Sequence, residues 1–128
     1  MIYEPKNIDL SILAEHFIVS EEYTQGRCLA ELIECQELPD FLVLIDEEAG
    51  NINGFMIGYR VYDTLWLNQV WRQNDSKLSN SVEAMIIAKE WAIKRGLTSI
   101  TAETKRNEMA VLKRWGFEEI SVIVRVKL

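Results

Sequence analysis

Apolar residues first recur at Leu10, Leu13, Ala14, Phe17 and Ile18, the spacing of one helix face. Pro5, Asn7 and Asp9 stand just upstream and set a helix start, after a short opening strand within Met1 to Glu4. Thr24 to Gly26 breaks this stripe and admits a second helix. Cys28, Leu29, Leu32, Ile33 and Cys35 form its apolar face, and Glu31, Glu34 and Glu37 point outward. Leu38-Pro39-Asp40 ends it. Phe41 to Ile45 is an unbroken apolar run, which suits a strand covered on both faces. A polar turn over Asp46 to Asn53, a strand over Gly54 to Tyr62, a turn at Asp63-Thr64 and a strand over Leu65 to Arg72 complete a three-stranded antiparallel meander.

A polar loop, Gln73 to Asn80, leads into a long helix over Ser81 to Arg95. Asn80 and Glu83 have capping-box spacing. Val82, Ala84, Met85, Ile86, Ile87, Ala88, Trp91, Ala92 and Ile93 make that helix apolar nearly all round, so it is expected to lie deep, against the sheet and a further layer. Gly96, after Lys94 and Arg95, suits the C-terminal cap. Leu97 to Thr104 reads as a strand parallel to the one ending at Arg72, joined to it by a right-handed crossover. Glu108 to Trp115 reads as a short helix, and Glu119 to Lys127 as one closing strand with Ile120, Val122, Val124 and Val126 on one face. The expected class is α/β with a mixed sheet, in a single domain spanning 1–128.

Composition narrows the function. At 128 residues, 48% hydrophobic and 27% charged, the chain has an ordinary globular mix. Its formal charge of −6 argues against nucleic acid as the main partner, because no net positive field exists to release counterions. No apolar run approaches a membrane span and no signal pattern opens the chain, so the cytoplasm is the expected location. Cys28 and Cys35, seven apart on one helix, lie about 10 Å from each other along the axis and cannot bridge. No Cys or His cluster suggests a metal. His16, the single histidine, lies off the apolar stripe and reads as a helix-surface residue. Trp66, Trp71, Trp91 and Trp115 read as core or interface.

The element order resembles the GCN5-related N-acetyltransferase (GNAT) fold, a three-layer sandwich with a mixed central sheet and a splay between its fourth and fifth strands. The segments FLVLIDEEAGNINGFMIGYRV, EWAIKRGLTSITAET and RNEMAVLKRWGFEE are similar to that family's second and third strands, the end of its main helix with its fifth strand, and its acyl-CoA-binding second half. The resemblance implies acetyl-CoA or CoA as cofactor. Its pantetheine arm would lie in the splay along the backbone from Asn68 through Val70 to Arg72, and its pyrophosphate on the N-terminus of the long helix, where free N–H groups favour anions. Counting back from Trp91, the family's glycine-bearing turn falls on Ser76, Ser79 and Ser81, with Arg72 and Lys77 partly offsetting Asp75 and Glu83. The missing glycines make close approach costlier, by about 1 kcal/mol or more per position. Asn107 matches the family's coenzyme-contacting Asn. It also suits a helix cap.

Two further departures concern the chemistry. The Tyr that family members often use to protonate the leaving thiolate is replaced by Leu112. A single closing strand, where the family has two, would leave the acceptor side open or completed by a second copy, as a homodimer. Glu103 is the expected base. The resemblance thus implies an acyl-CoA-dependent N-acyltransferase acting on a small-molecule or peptide amine. The alternative is a non-catalytic GNAT-fold binding or assembly module, similar in style to phage and mobile-element products whose coenzyme loops have eroded.

Overall fold

The computed structural model describes residues 1–73, 78–103, 116–120 and 123–128. Among the described residues seven strands form one sheet: β1 (Ile2–Tyr3), β2 (Phe41–Glu48), β3 (Asn51–Val61), β4 (Thr64–Arg72), β5 (Ser99–Glu103), β6 (Glu118–Ile120) and β7 (Ile123–Lys127). Their order is β1-β2-β3-β4-β5-β7-β6, and every pairing is antiparallel except β4 with β5. A 3₁₀ helix, Leu10–His16, and α1, Gln25–Cys35, cover one face, while α2, Leu78–Lys94, covers the other. The expected short helix over Glu108 to Trp115, with Leu112, lies outside the described residues, as do Ser76, Lys77 and Asn107.

The run Phe41 to Ile45 is continuous because β2 feeds two cores. Leu42 and Leu44 pack with Met56, Leu65, Leu67, Met85, Ala88 and Trp91 under α2. Val43 and Ile45 turn the other way, onto Leu10, Leu13, Phe17, Cys28 and Leu32. Each strand residue adds area to one core only, which is the packing of a central strand between two layers.

Several boundaries differ from the sequence-based expectation. The first helix is 3₁₀ and stops at His16, with Phe17 already extended but still buried. The Asp9 side chain caps it by accepting from the Ser11 N–H at 3.0 Å. Thr24 caps α1, so Gln25 and Gly26 lie inside that helix, and Ile33 is exposed. α2 opens at Leu78, three residues before the expected start, so Asn80 is not its cap. The Asn80 amide donates instead to Asp46 Oδ2 at 3.0 Å. α2 also buries one face alone: Val82, Ile86 and Ile93 are exposed. Its C-terminus is as expected, since Gly96 has φ 72° and the Leu97 and Gly96 N–H groups bond to the carbonyls of Ala92 and Ile93.

The closing segment is two strands, not one. β6 and β7 pair with Ile120 opposite Ile123, and β7 lies against β5. The unbroken Ile120, Val122, Val124, Val126 alternation hid the reversal. The chain therefore carries the two closing strands that the sequence appeared to lack.

The β2–β3 turn is much tighter than Asp46 to Asn53. Glu48 pairs with Asn51, leaving Ala49 and Gly50 as a two-residue loop with φ 52° and 82°. Positive φ at both positions is the geometry that matches strand twist in a hairpin. Alanine is a poor choice there, because its Cβ crowds the backbone. Ala49→Asn should therefore raise stability by about 0.5–1 kcal/mol, read as a higher urea midpoint at unchanged m-value.

Candidate functional site

β4 and β5 part company midway. Among the described residues their parallel pairing runs from Thr64 with Ser99 to Leu67 with Ala102. β4 continues to Arg72 with β3 as its strand partner, while Glu103 on β5 pairs with Ile123 of β7. Among the described residues, a wedge thus opens between Asn68–Arg72 on one side and Glu103 on the other. The opening follows from local geometry. Ile57 pairs with Gln69 and Gly58 with Leu67, so Asn68 is an extra residue bulged out of β4. A bulge bends its strand, and this one sits at the point where β5 is left behind.

The bulge also changes which face each β4 side chain serves. Leu65 and Leu67 pack under α2. Beyond Asn68 it is Val70 that packs on that side, while Trp71 joins the cluster under the 3₁₀ helix and α1. Gly58 accommodates the distortion, because a Cβ there would lie 2.7 Å from the Trp66 carbonyl oxygen.

Gln69 is 3% exposed and ties this strand to the segment after the 3₁₀ helix. Its Oε1 accepts from the Ile18 N–H at 2.6 Å, and its Nε2 donates to the Ile18 carbonyl at 3.3 Å. The same Nε2 reaches Cys28 Sγ and Asn68 Oδ1, each at 3.3 Å. Burial pushes the Cys28 thiol up, so this cysteine is a neutral packing partner and not a nucleophile. Burial, then the bond to Glu31, also pushes Tyr23 well above the usual phenol range.

Because β4 and β5 are parallel, the wedge opens at their C-terminal ends. The first turn of α2 lies beside that end: Arg72 Nη1 donates to Ser81 Oγ at 3.4 Å. The first N–H groups of a helix lack intrahelical partners, and this turn contains no acidic residue. The helix dipole there is thus not neutralised by its own carboxylate. Asn68, Val70, Arg72, Ser79 and Ser81 accordingly fall on the wedge or on the helix end beside it, and Glu103 falls on the opposite lip. Lys77 and Asn107 lie outside the described residues.

His16 was read as a surface residue, and the structure leaves it partly exposed but gives it a ring partner. Its ring stacks on Trp71 with centroids 3.6 Å apart and planes 13° from parallel, and its side chain is 34% exposed. Nothing in the local helical pattern could have shown this, because the partner lies 55 residues away. An open pocket of about 430 Å³ near Phe41 and Val43 sits at the opposite end of the sheet and contributes nothing to the wedge.

Neither family models nor curated proteins match the sequence. Solved structures do. A Thermoplasma acidophilum PaiA N-acetyltransferase in complex with coenzyme A superposes with a TM-score of 0.74 at 18% identity, covering 100% of this chain and 99% of the other. A Bacillus cereus IAA acetyltransferase gives 0.76 at 14% identity, with the same coverage. A GNAT family acetyltransferase from Elizabethkingia anophelis, with acetyl-CoA bound, gives 0.73 at 11% identity over 100% and 97%. The chain has the GCN5-related N-acetyltransferase fold over its full length.

Proposed function

We propose that this protein is an acyl-CoA-dependent N-acyltransferase that moves an acetyl group from acetyl-CoA to a small-molecule or peptide amine. The observation that carries this reading is the wedge after Leu67 and Ala102, with the first turn of α2 beside it. Backbone groups of Asn68 to Arg72 would pair with the pantetheine arm as a missing strand would. The N–H groups of the first turn of α2, at Ser79 and Ser81, would receive the pyrophosphate, with Arg72 and Lys77 adding positive charge. Asn107 would contact the coenzyme from the other half. Similarity to structures that contain coenzyme A or acetyl-CoA supports the same assignment.

Catalysis in such a site rests on positioning. The amine attacks the thioester carbonyl carbon while backbone N–H groups near the bulge stabilise the developing oxyanion. Glu103, on the β5 lip, supplies a carboxylate that draws an ammonium group toward the opening.

Thermal unfolding with CoA tests the reading. At one hundred times Kd, a ligand bound to the native state alone stabilises by about 2.7 kcal/mol, which for a domain of this size shifts Tm by roughly 8–10 °C. No shift with millimolar CoA or acetyl-CoA would favour the non-catalytic module, whose eroded serine turn no longer holds a coenzyme.

A further inference from the structure

We infer that His16 is the base that takes the proton from the acceptor amine. The inference rests on the acyltransfer reading above and assigns the role of base to His16 in place of Glu103, the residue expected from the sequence. The His16 ring lies flat on Trp71, and Trp71 belongs to the part of β4 beyond its last described pair with β5. Gln69 fixes the neighbouring backbone, holding Ile18 by its N–H and its carbonyl, so the segment after the 3₁₀ helix is tied to β4. The stack lies on the face opposite α2. With the phosphates on the α2 side, an acceptor must reach the thioester from the His16 side. The imidazole is 34% exposed, which leaves an edge open to an incoming amine.

The charges around the ring suit the role. Glu15 Oε1 lies 3.4 Å from His16 Nε2 and stabilises an imidazolium once formed. From β4 the facing group is the Trp71 indole, and from β3, behind it, the Phe55 ring. Neither is charged. An imidazole nitrogen is a common general base for proton transfer from an attacking group.

The step balances without any other reagent. An acceptor arriving as R–NH₃⁺ gives one proton to the imidazole, which later releases it to solvent. The neutral amine forms the N–C bond to the acetyl carbonyl carbon, and the C–S bond breaks. The second amine proton passes to the departing thiolate to give CoA-SH, and the third stays on the amide.

The test compares wild type with His16→Phe and His16→Ala, using thiol release from acetyl-CoA with benzylamine and with a short peptide bearing a free α-amino group. His16→Phe keeps an aromatic ring on Trp71 but has no basic nitrogen. The expected result is a loss of about 10²- to 10⁴-fold in kcat/KM, with Tm and CoA affinity within threefold of wild type for His16→Phe. Added imidazole should restore part of the rate to His16→Ala, and the acidic limb of the wild-type pH profile should vanish in both variants. Activity of His16→Phe within threefold of wild type would overturn the inference. So would a wild type that binds CoA yet releases no thiol with either amine, a result that leaves coenzyme binding intact. Absence of CoA binding would instead defeat the underlying acyltransferase reading.

Discussion

Gly58→Ala is expected to destabilise the protein by about 1–3 kcal/mol, although it adds a single methyl group. The added Cβ would lie 2.7 Å from the Trp66 carbonyl oxygen, 3.0 Å from Leu65 Cδ1 and 3.1 Å from Leu67 Cδ2. A leucine methyl can rotate away. A backbone oxygen in a central strand moves only if β4 moves. Alanine also restricts the unfolded chain, which offsets about 0.4–1 kcal/mol, so the net effect is smaller than the steric strain. The displaced stretch is the one opposite the Asn68 bulge, where β4 leaves β5. Urea unfolding measures the loss. Gly26→Ala is the control: nothing lies within 4 Å of the added atom and the site is helical, so stability should hold or rise. Equal behaviour of the two variants would mean that β3 and β4 approach less closely at Gly58 than described.

Gln69→Leu should cost about 2–4 kcal/mol. The side chain keeps its bulk, so the loss isolates hydrogen bonding. The Ile18 N–H and carbonyl both lose their partner, and each buried polar group left unpaired costs about 1–3 kcal/mol. Cys28 Sγ and Asn68 Oδ1 lose a donor as well. Amide hydrogen exchange gives the most specific check. Protection of the Ile18 amide should fall well beyond the change in global stability, because the clamp between β4 and the 3₁₀ helix is the local structure that shields it. If Ile18 keeps its protection in the variant, Gln69 does not hold that segment.

Much of the fold was legible because long apolar patterns carry it. The meander, the long helix with Gly96 behind it, and the parallel return strand all follow from periodicity and turn residues. The doubly covered β2 was readable from five apolar residues in a row. Misreadings arose where local pattern and tertiary contact disagree. Ala49 occupies a hairpin turn with positive φ that its residue type does not advertise. Asn80 looked like a cap because its spacing to Glu83 fits, yet its amide is used by Asp46 across the sheet end. The closing hairpin disappeared into one continuous alternation.

The site was legible in outline and less so in detail. A wedge beside β4 was expected from element order, but the residue that makes it, Asn68, bulges through a register shift that no sequence pattern marks. That shift also explains Gln69. Simple alternation would place Leu65, Leu67, Gln69 and Trp71 on one face. The extra residue instead separates the first two from Trp71 and leaves room for a buried amide that bonds to Ile18. His16 stacks on Trp71 for the same reason, so its position became readable only with the register in hand.

The wedge as a coenzyme site is tested most directly by titrating ¹⁵N-labelled protein with CoA and following each amide resonance. The account predicts saturable shifts concentrated at Asn68 to Arg72 and at Leu78 to Ser81, the part of β4 beyond its described pairing with β5 and the first turn of α2. Shifts confined to other surfaces, or none at millimolar CoA, would contradict it.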